Sequence, residues 1–220
     1  MTEVKYNFYH WGPFLFHSYM DKELCELMLE EGLKVRGKSD ELYTHKLAGH
    51  LGEQYKLSRD KIMPKLAVFL EGYTIGYNKW RGGGGMKPKA KLLSLWINYM
   101  KAGDFNPPHD HDGSLSWVIY LDIPEVLKFE NSKYKGRSAG PGGVTFIYGD
   151  GPRESVTHHS SFPETGDMYI FPAWLKHWVF PFKSQCTRIS VSGNVRDYIK
   201  IKDVKGLKPV TKEEVLKKIK

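Results

Sequence analysis

Two histidine-containing segments of this 220-residue sequence could supply ligands to a metal ion. The first, Gly103–Asp112, has two prolines followed by the run His109-Asp110-His111-Asp112. The second ends at His177, 66 residues after His111, and Arg188 follows 11 residues later. Imidazole and carboxylate are ligands that suit Fe(II) in a site left open for oxygen and substrate. The histidines and carboxylates could therefore hold a metal ion, and Arg188 could help to hold a dicarboxylate beside it.

The spacing of the first segment indicates which side chains share a side. Successive residues of an extended chain point in opposite directions, so His109 and His111 can face one way while Asp110 and Asp112 face the other. This makes the two histidines the natural pair, with His177 completing the set from a distant strand. A solvated turn and a hydrogen-bonded core histidine are the simpler interpretations of each part alone. A further pair, His158-His159, lies in a Ser/Thr-rich stretch and is interpreted as surface or substrate-side.

Helical periodicity dominates the first third of the chain. Asp21 is predicted to cap a helix whose apolar stripe ends near Gly32. A second apolar stripe at helical spacing runs from Ser58 to about Tyr77, and Pro64 fits if it lies within the first turn. These stripes predict two core-facing helices. Residues 39–57 show no clear period.

The period changes to two after the glycine run Gly82–Gly85, which is typical of a flexible turn or linker. From Leu93 to Met100, apolar residues alternate with others, as in a strand. Further strands are predicted at Leu115–Leu121, Val126–Phe129, Val144–Tyr148, Asp167–Phe171, Trp178–Phe182 and Thr187–Asn194. Many short strands separated by Gly/Pro turns favour a β-sandwich or a double-sheet jelly roll.

Composition narrows the class of protein further. Cys25 and Cys186 form no spaced framework, which favours free thiols in a reducing compartment. No basic-then-apolar leader follows Met1, and no apolar run approaches eighteen residues, so neither secretion nor membrane spanning is indicated. We expect a cytoplasmic protein, in the host cytoplasm if it is viral.

Much of the net charge of +8 lies at the C-terminus, where residues 200–220 hold eight lysines against three acidic residues. A basic tail can attract nucleic acid, but aromatic and arginine residues are not interleaved here, so nucleic acid is a less favoured partner. Thr211–Glu214 reads as a capping box that opens a short helix. We divide the chain into a helical N-terminal support (1–85), a β core (86–198) and a basic tail (199–220).

Four segments in order resemble the catalytic core of the Fe(II)- and 2-oxoglutarate-dependent oxygenases, nearest to the prolyl 4-hydroxylase-like group and to oxygenases of phages and marine bacteria. The resemblance covers residues 99–194 and implies a mostly β fold with flanking helices around a double-stranded β-helix, or jelly-roll, core. It is carried by the run from Tyr99 through Gly103 to Pro108-His109, the strand Ser114–Leu121, the block Gly166–His177 and the motif Arg188-Ile189-Ser190.

The resemblance implies a role for each matching residue. His109 matches the first iron ligand and His177 the last. Arg188 matches the arginine that pairs with the distal carboxylate of 2-oxoglutarate, a task that suits the guanidinium fork. Three more residues match its neighbours in the cosubstrate pocket: Ser190, Tyr120 and, at the pocket wall, Tyr99.

The sequence departs from the family at the middle ligand. The family's first motif is His-any-Asp, but the third place holds His111. Three ligand sets follow: three neutral imidazoles, a swung-in Asp110 or Asp112, or two protein ligands with water. We favour His111, because it holds the aligned place and the right side of the strand.

The expected activity is that of an Fe(II)- and 2-oxoglutarate-dependent dioxygenase. It would use O2 to hydroxylate an unactivated C–H bond of a peptide or small molecule, with a prolyl peptide favoured, while 2-oxoglutarate is decarboxylated to succinate and CO2. Two other functions stay open. One is a three-His cupin-type dioxygenase without 2-oxoglutarate, for which Arg188 would be dispensable. The other is a non-catalytic jelly-roll binding or structural module.

Overall fold

Two helices cover one side of the protein, and the local sequence explains both. Helix α1 spans Lys22–Val35, and the Asp21 side chain accepts a hydrogen bond from the Leu24 amide at 2.8 Å, as the predicted N-cap requires. Helix α2 spans Met63–Trp80 with Pro64 in its first turn, where a missing N–H is harmless. The computed structural model describes residues 12–47, 49–83, 86–151 and 155–200.

A six-stranded antiparallel sheet forms the larger half of the β core. In sheet order the strands are β1 (Phe16–Tyr19), β8 (Asp167–Pro172), β5 (Leu115–Asp122), β10 (Arg188–Lys200), β3 (Met86–Met100) and β2 (Glu53–Lys56). The two long strands, β10 and β3, pair with each other from Arg188↔Met100 onward. The N-terminal region thus contributes two short strands as well as its helices.

A four-stranded antiparallel sheet faces the larger one. In sheet order its strands are β4 (Asn106–His109), β9 (Lys176–Val179), β6 (Val144–Ile147) and β7 (His158–Ser161). Tyr120, Tyr169 and Phe171 of the larger sheet pack with Val144 and Phe146 of the smaller one in a shared apolar cluster. The protein is therefore mostly β, with flanking helices and a jelly-roll core, as predicted.

The larger sheet has two different faces. On β3, Leu95, Ile97 and Tyr99 pack into the core beneath α1 and α2. The intervening Trp96, Asn98 and Met100 line a cavity of about 490 Å³ on the other face. We call this cavity the central pocket. Because side chains alternate along a strand, one strand builds both the core and the pocket.

The prediction of a strand at Val126–Phe129 is wrong. This segment lies in helix α3, Glu125–Ser132, which follows Pro124. Only Leu127 is buried, whereas Val126 and Phe129 are 48% and 63% exposed. A strand would bury alternate residues against a sheet, but here only one apolar side chain of the segment is buried. The amides of Leu127 and Lys128 donate hydrogen bonds to the Pro124 carbonyl, as in a helix.

The strand predicted at Trp178–Phe182 is shifted toward its N-terminus. Strand β9 runs from Lys176 to Val179, and its pairing with β6 ends at Val144↔Val179. Pro181 has no N–H to continue the ladder. Strand β4 was missed because it contains Pro107 and Pro108, which a sheet tolerates only at an edge such as this one.

Some predictions fall outside the described residues, including the helix at Thr211–Glu214 and the part of the basic tail beyond residue 200. The division of the chain at residues 85 and 198 stays a prediction. Cys25 and Cys186 are both free thiols, as expected. Within the described ranges, no helix is long and apolar enough to cross a membrane.

Candidate metal and cosubstrate site

Three histidines converge at one side of the central pocket. One ring nitrogen from each of His109, His111 and His177 lies within 4.8 Å of the others. The antiparallel pairing of β4 with β9 sets His109 directly opposite His177. His111 follows β4, and its amide donates to the Ala173 carbonyl at 2.9 Å, which ties this segment to the chain just before β9. We call these three residues the histidine cluster.

Backbone carbonyls orient two of the three rings. His109 Nδ1 lies 2.7 Å from the Pro107 carbonyl oxygen, and His177 Nδ1 lies 2.9 Å from that of Leu175. A carbonyl only accepts, so each Nδ1 carries the proton and each Nε2 keeps its lone pair. Each Nε2 is therefore free to bind a metal ion, and its ring is held by a second bond, as ligating histidines usually are.

Burial keeps the histidine cluster neutral. It lowers the pKa of His177 well below its usual value, with further lowering by the neighbouring His109 and His111. Burial, and then His109, lowers the pKa of His111 to about 3. Burial also lowers the pKa of His109, against the opposing effects of the Pro107 carbonyl and Asp110. Neutral imidazole is the form that binds metals, so the cluster can bind one at neutral pH.

The carboxylates of the first segment lie apart from this cluster. Asp110 and Asp112 line the central pocket, but both are exposed, and neither is among the groups within metal-sharing distance. This is the alternation predicted for an extended chain. His158 and His159 begin β7 at the far edge of the smaller sheet, and both are exposed, which agrees with their interpretation as surface residues.

A second group of polar residues lines the same pocket around Arg188. Arg188 is 3% exposed, and its Nη1 donates a hydrogen bond to Met100 Sδ at 3.1 Å. The guanidinium carbon lies 4.8 Å from the centre of the Tyr120 ring, and Ser190 follows Arg188 on the same face of β10. We call Arg188, Tyr120 and Ser190 the arginine cluster.

The charge of Arg188 has no counter-ion among the described residues. Arg188 forms no ion pair there, and its Nε has no hydrogen-bond acceptor. A thioether is only a weak acceptor, so Met100 does little to offset the charge. Burial lowers the pKa of the Arg188 guanidinium and raises the pKa of Tyr120 to about 12. A buried cation beside a protonated phenol is a site for an anion, since burying an unpaired charge is costly.

Tyr99 is the one predicted site residue that the structure places elsewhere. It is 1% exposed and belongs to the core beneath the helices, where the Arg36 guanidinium lies 4.2 Å from its ring centre. Its neighbours Asn98 and Met100 line the pocket instead. The alternation of β3 therefore turns Tyr99 away from the pocket.

The sequence interpretation missed a polar network in the pocket. Gln54 Nε2 donates to Asn98 Oδ1 at 2.7 Å, and Trp96 Nε1 donates to the same oxygen at 3.1 Å. Asn98 Nδ2 donates at 3.3 Å to Ser190 Oγ and to Ser192 Oγ. We call these five residues the polar floor. The alternation of Trp96 and Asn98 with buried apolar residues was a signal for part of it, but Gln54 lies in the segment without a clear period.

Comparison with known families agrees with this geometry. Residues 94–194 match the sequence profile of the family described as "Putative 2OG-Fe(II) oxygenase". This range contains every residue of the histidine and arginine clusters. The resemblance to the 2-oxoglutarate/Fe(II) oxygenases is confirmed. A search of curated protein sequences gives no significant match.

Three of the solved structures that share the fold of this chain are prolyl hydroxylases. A prolyl-4-hydroxylase from Pseudomonas putida is 14% identical, with a TM-score of 0.55 over 83% of this chain and 91% of that one. The viral collagen prolyl hydroxylase of Paramecium Bursaria Chlorella virus-1, as its 2OG complex, is 14% identical with a TM-score of 0.52, over 82% and 94%. A Trichoplax adhaerens prolyl hydroxylase, bound to a hypoxia inducible factor peptide fragment, is 13% identical with a TM-score of 0.52, over 84% of each chain.

Proposed function

We propose that this protein is an Fe(II)- and 2-oxoglutarate-dependent dioxygenase that hydroxylates an unactivated C–H bond. The observation that carries the proposal is the presence, in one pocket, of three converging neutral imidazoles and a buried arginine without a counter-ion. The first group suits a divalent cation and the second suits a carboxylate. A cosubstrate with a metal-binding end and a distal carboxylate satisfies both.

The proposed metal ligands are His109, His111 and His177. Their lone pairs converge, and two of the rings are already oriented by carbonyl groups. Bound Fe(II), with 2-oxoglutarate and O2, supplies the oxidising power for C–H hydroxylation, with succinate and CO2 as coproducts. The protein's own contribution is to fix the ligands and to hold the cosubstrate.

The arginine cluster is proposed to bind the distal carboxylate of 2-oxoglutarate. Arg188 offers a fork of charge-assisted donors, and Nε is among those still available. The Tyr120 phenol keeps its proton at neutral pH and can donate as well. Because Ser190 Oγ accepts a hydrogen bond from Asn98, its own hydroxyl proton is left for a further acceptor.

The choice of His111 as the middle ligand has an electrostatic consequence. Three imidazoles leave the full charge of Fe(II) uncompensated, whereas a carboxylate ligand would remove one unit of it. A doubly charged cosubstrate then supplies the anionic partner for both the metal and Arg188. We therefore expect metal and 2-oxoglutarate to bind cooperatively at this site.

A prolyl residue in a peptide is the substrate that we favour. The support is the shared fold with three prolyl hydroxylases, one of which was solved with a peptide fragment. The central pocket has a volume of about 490 Å³, which lies within the usual range for ligand sites. A small molecule is the alternative substrate class.

The direct test is succinate release from 2-oxoglutarate by purified protein supplied with Fe(II) and O2. Wild-type protein and His111→Asp should both release succinate, since either side chain can supply the middle ligand. His111→Ala should lose activity by about 100-fold, because a ligand is removed. His159→Ala, a histidine change outside the cluster, is the matched control and should leave the rate unchanged. The proposal fails if wild-type protein releases no succinate and shows no visible charge-transfer band on anaerobic addition of Fe(II) and 2-oxoglutarate.

One observation favours a second candidate function. The third group of the cluster is an imidazole, and the nearby Asp110 and Asp112 lie outside it. Three imidazoles also suit a cupin-type dioxygenase that consumes O2 without 2-oxoglutarate. In that case Arg188→Met would leave substrate-dependent O2 consumption intact, whereas a 2-oxoglutarate-dependent enzyme would lose it.

A further inference from the structure

Four buried side-chain atoms of the described residues lack a hydrogen-bond partner: Thr44 Oγ1, Gln54 Oε1, Tyr99 Oη and Arg188 Nε. Only Gln54 and Arg188 also line the central pocket. The two atoms have opposite hydrogen-bonding roles: Arg188 Nε is a donor on a cation, and Gln54 Oε1 is a neutral acceptor. The proposed cosubstrate accounts for Arg188 and leaves Gln54, which is 1% exposed, without a ligand.

The orientation of the Gln54 amide follows from the network around it. An indole N–H can only donate, so the Asn98 atom that faces Trp96 Nε1 must be the oxygen. That oxygen also faces the Gln54 amide at 2.7 Å, so the Gln54 atom there must be the NH2 nitrogen. The remaining Gln54 atom is therefore a carbonyl oxygen, which can only accept. The assignment depends on the donor-only indole.

We propose that Gln54 Oε1 binds an amide N–H of the primary substrate and so helps to select it. This inference rests on the proposed function and adds the chemical class of the substrate. A lone acceptor cannot bind either carboxylate of 2-oxoglutarate, so the cosubstrate is not its partner. An ammonium group would need a buried carboxylate beside it, but the carboxylates that line the pocket, Asp110 and Asp112, are exposed. A neutral donor fits, and because the substrate that we favour is a peptide, the donor to which we commit is an amide N–H.

The polar floor places this acceptor beside both clusters. Asn98 joins Gln54 to Ser190 of the arginine cluster, through bonds of 2.7 and 3.3 Å. Trp96 joins Asn98 to the histidine cluster, because its ring centre lies 5.8 Å from that of His111. A substrate held at Gln54 would thus share the pocket with the metal and the cosubstrate.

The test compares ligands that differ only in their N–H groups. N-acetyl amino-acid N-methylamides, and counterparts methylated at every amide nitrogen, are titrated into protein loaded anaerobically with Fe(II) and 2-oxoglutarate. At least one amide should bind, and its N-methylated counterpart should bind about tenfold more weakly, the range expected for one buried hydrogen bond. The preference should disappear in Gln54→Met, which keeps the shape and removes the acceptor. It should persist in Gln54→Glu, because a buried carboxyl group opposite the Asn98 oxygen keeps its proton, donates it to that oxygen and leaves its carbonyl oxygen as the acceptor.

The control is Lys56→Met on the same strand, whose side chain is exposed and should not affect the preference. Thermal unfolding checks that Gln54→Met is folded at the titration temperature, because the variant loses the hydrogen bond to Asn98 together with the unpaired acceptor. The inference is overturned if the preference survives in Gln54→Met, as expected of a glutamine that binds only water. It is also overturned if no amide binds protein that releases succinate. Absence of succinate release, by contrast, counts against the proposed function, and the anaerobic titration still decides the role of Gln54.

Discussion

The histidine cluster and the arginine cluster line the same pocket but are prepared in opposite ways. The histidine cluster is neutral, and carbonyl groups orient the rings of His109 and His177. The arginine cluster keeps a charge that contacts the Met100 thioether and Tyr120 and has no carboxylate partner among the described residues. The histidine cluster thus leaves no charge unpaired in the folded protein, whereas the arginine cluster contains a buried charge without a counter-ion.

This difference determines how each cluster affects folding. Buried imidazoles cost the fold little free energy while they are neutral and hydrogen-bonded. Their contribution to the free energy of unfolding depends on pH. A buried guanidinium without a counter-ion destabilises the ligand-free protein at any pH near neutrality, because arginine keeps its proton. Changes in the two clusters should therefore have separable effects on affinity, stability and pH dependence.

The largest expected effect is that of Arg188→Met. The variant should bind 2-oxoglutarate about 100-fold more weakly or worse, because it loses a bidentate, charge-assisted contact. The ligand-free protein should be as stable as wild type or more so, since an unpaired buried charge is replaced by an apolar side chain. Calorimetric titration and thermal unfolding measure the two effects on one sample.

The matched control for this variant is Arg188→Lys. It keeps the charge but not the fork, so its affinity for 2-oxoglutarate should lie between those of wild type and Arg188→Met. If Arg188→Met instead unfolds at a markedly lower temperature, then the guanidinium supports the fold and the contrast between the clusters is mistaken.

The second effect is a pH dependence of stability, to which the histidine cluster contributes and the arginine cluster does not. Since the folded-state pKa values of its members lie below the unfolded value, the unfolded chain binds more protons at acidic pH. Their contribution to stability is thus complete above about pH 6.5 and is lost as the pH falls below it. For His111 the loss should continue toward pH 3, at up to about 1.4 kcal/mol per pH unit.

Chemical denaturation of metal-free protein between pH 4 and 8 measures this slope. His111→Asn should reduce this slope, because it removes one side chain that binds a proton less readily in the folded protein than in the unfolded chain. Arg188→Met should leave it unchanged, since arginine does not titrate in this range. Equal slopes in wild type and His111→Asn would contradict the assignment of the pH dependence to the cluster.

The smallest effect separates the two tyrosines that were predicted for the cosubstrate pocket. Tyr120→Phe should weaken 2-oxoglutarate binding by about fivefold, the contribution of one hydroxyl donor. Tyr99→Phe should leave the affinity unchanged, since Tyr99 lies on the helix-covered face of the sheet. The Tyr99→Phe variant should be as stable as wild type, because the hydroxyl group that it loses has no hydrogen-bond partner. A loss of affinity in Tyr99→Phe alone would mean that β3 presents its other face to the pocket.

Local sequence patterns predicted most of the elements that surround the site. The Asp21 cap and the position of Pro64 located α1 and α2, and alternation located β3. The patterns failed where an element depends on a distant partner. Strand β4 contains two prolines and exists only as an edge beside β9, while Val126–Phe129 has strand-forming residues but no sheet to join.

The sequence by itself determined the chemistry of the candidate site. It supplied the types and order of the histidines and Arg188, and its alternation set His109 and His111 on one side with Asp110 and Asp112 on the other. Only the tertiary structure decided which groups meet. The pairing of β4 with β9 brings His177 to His109, and the packing of β2 beside β3 brings Gln54 to Asn98. The physical reason is that local periodicity fixes the direction of a side chain, whereas contacts across the sheets depend on strand pairings between distant parts of the chain.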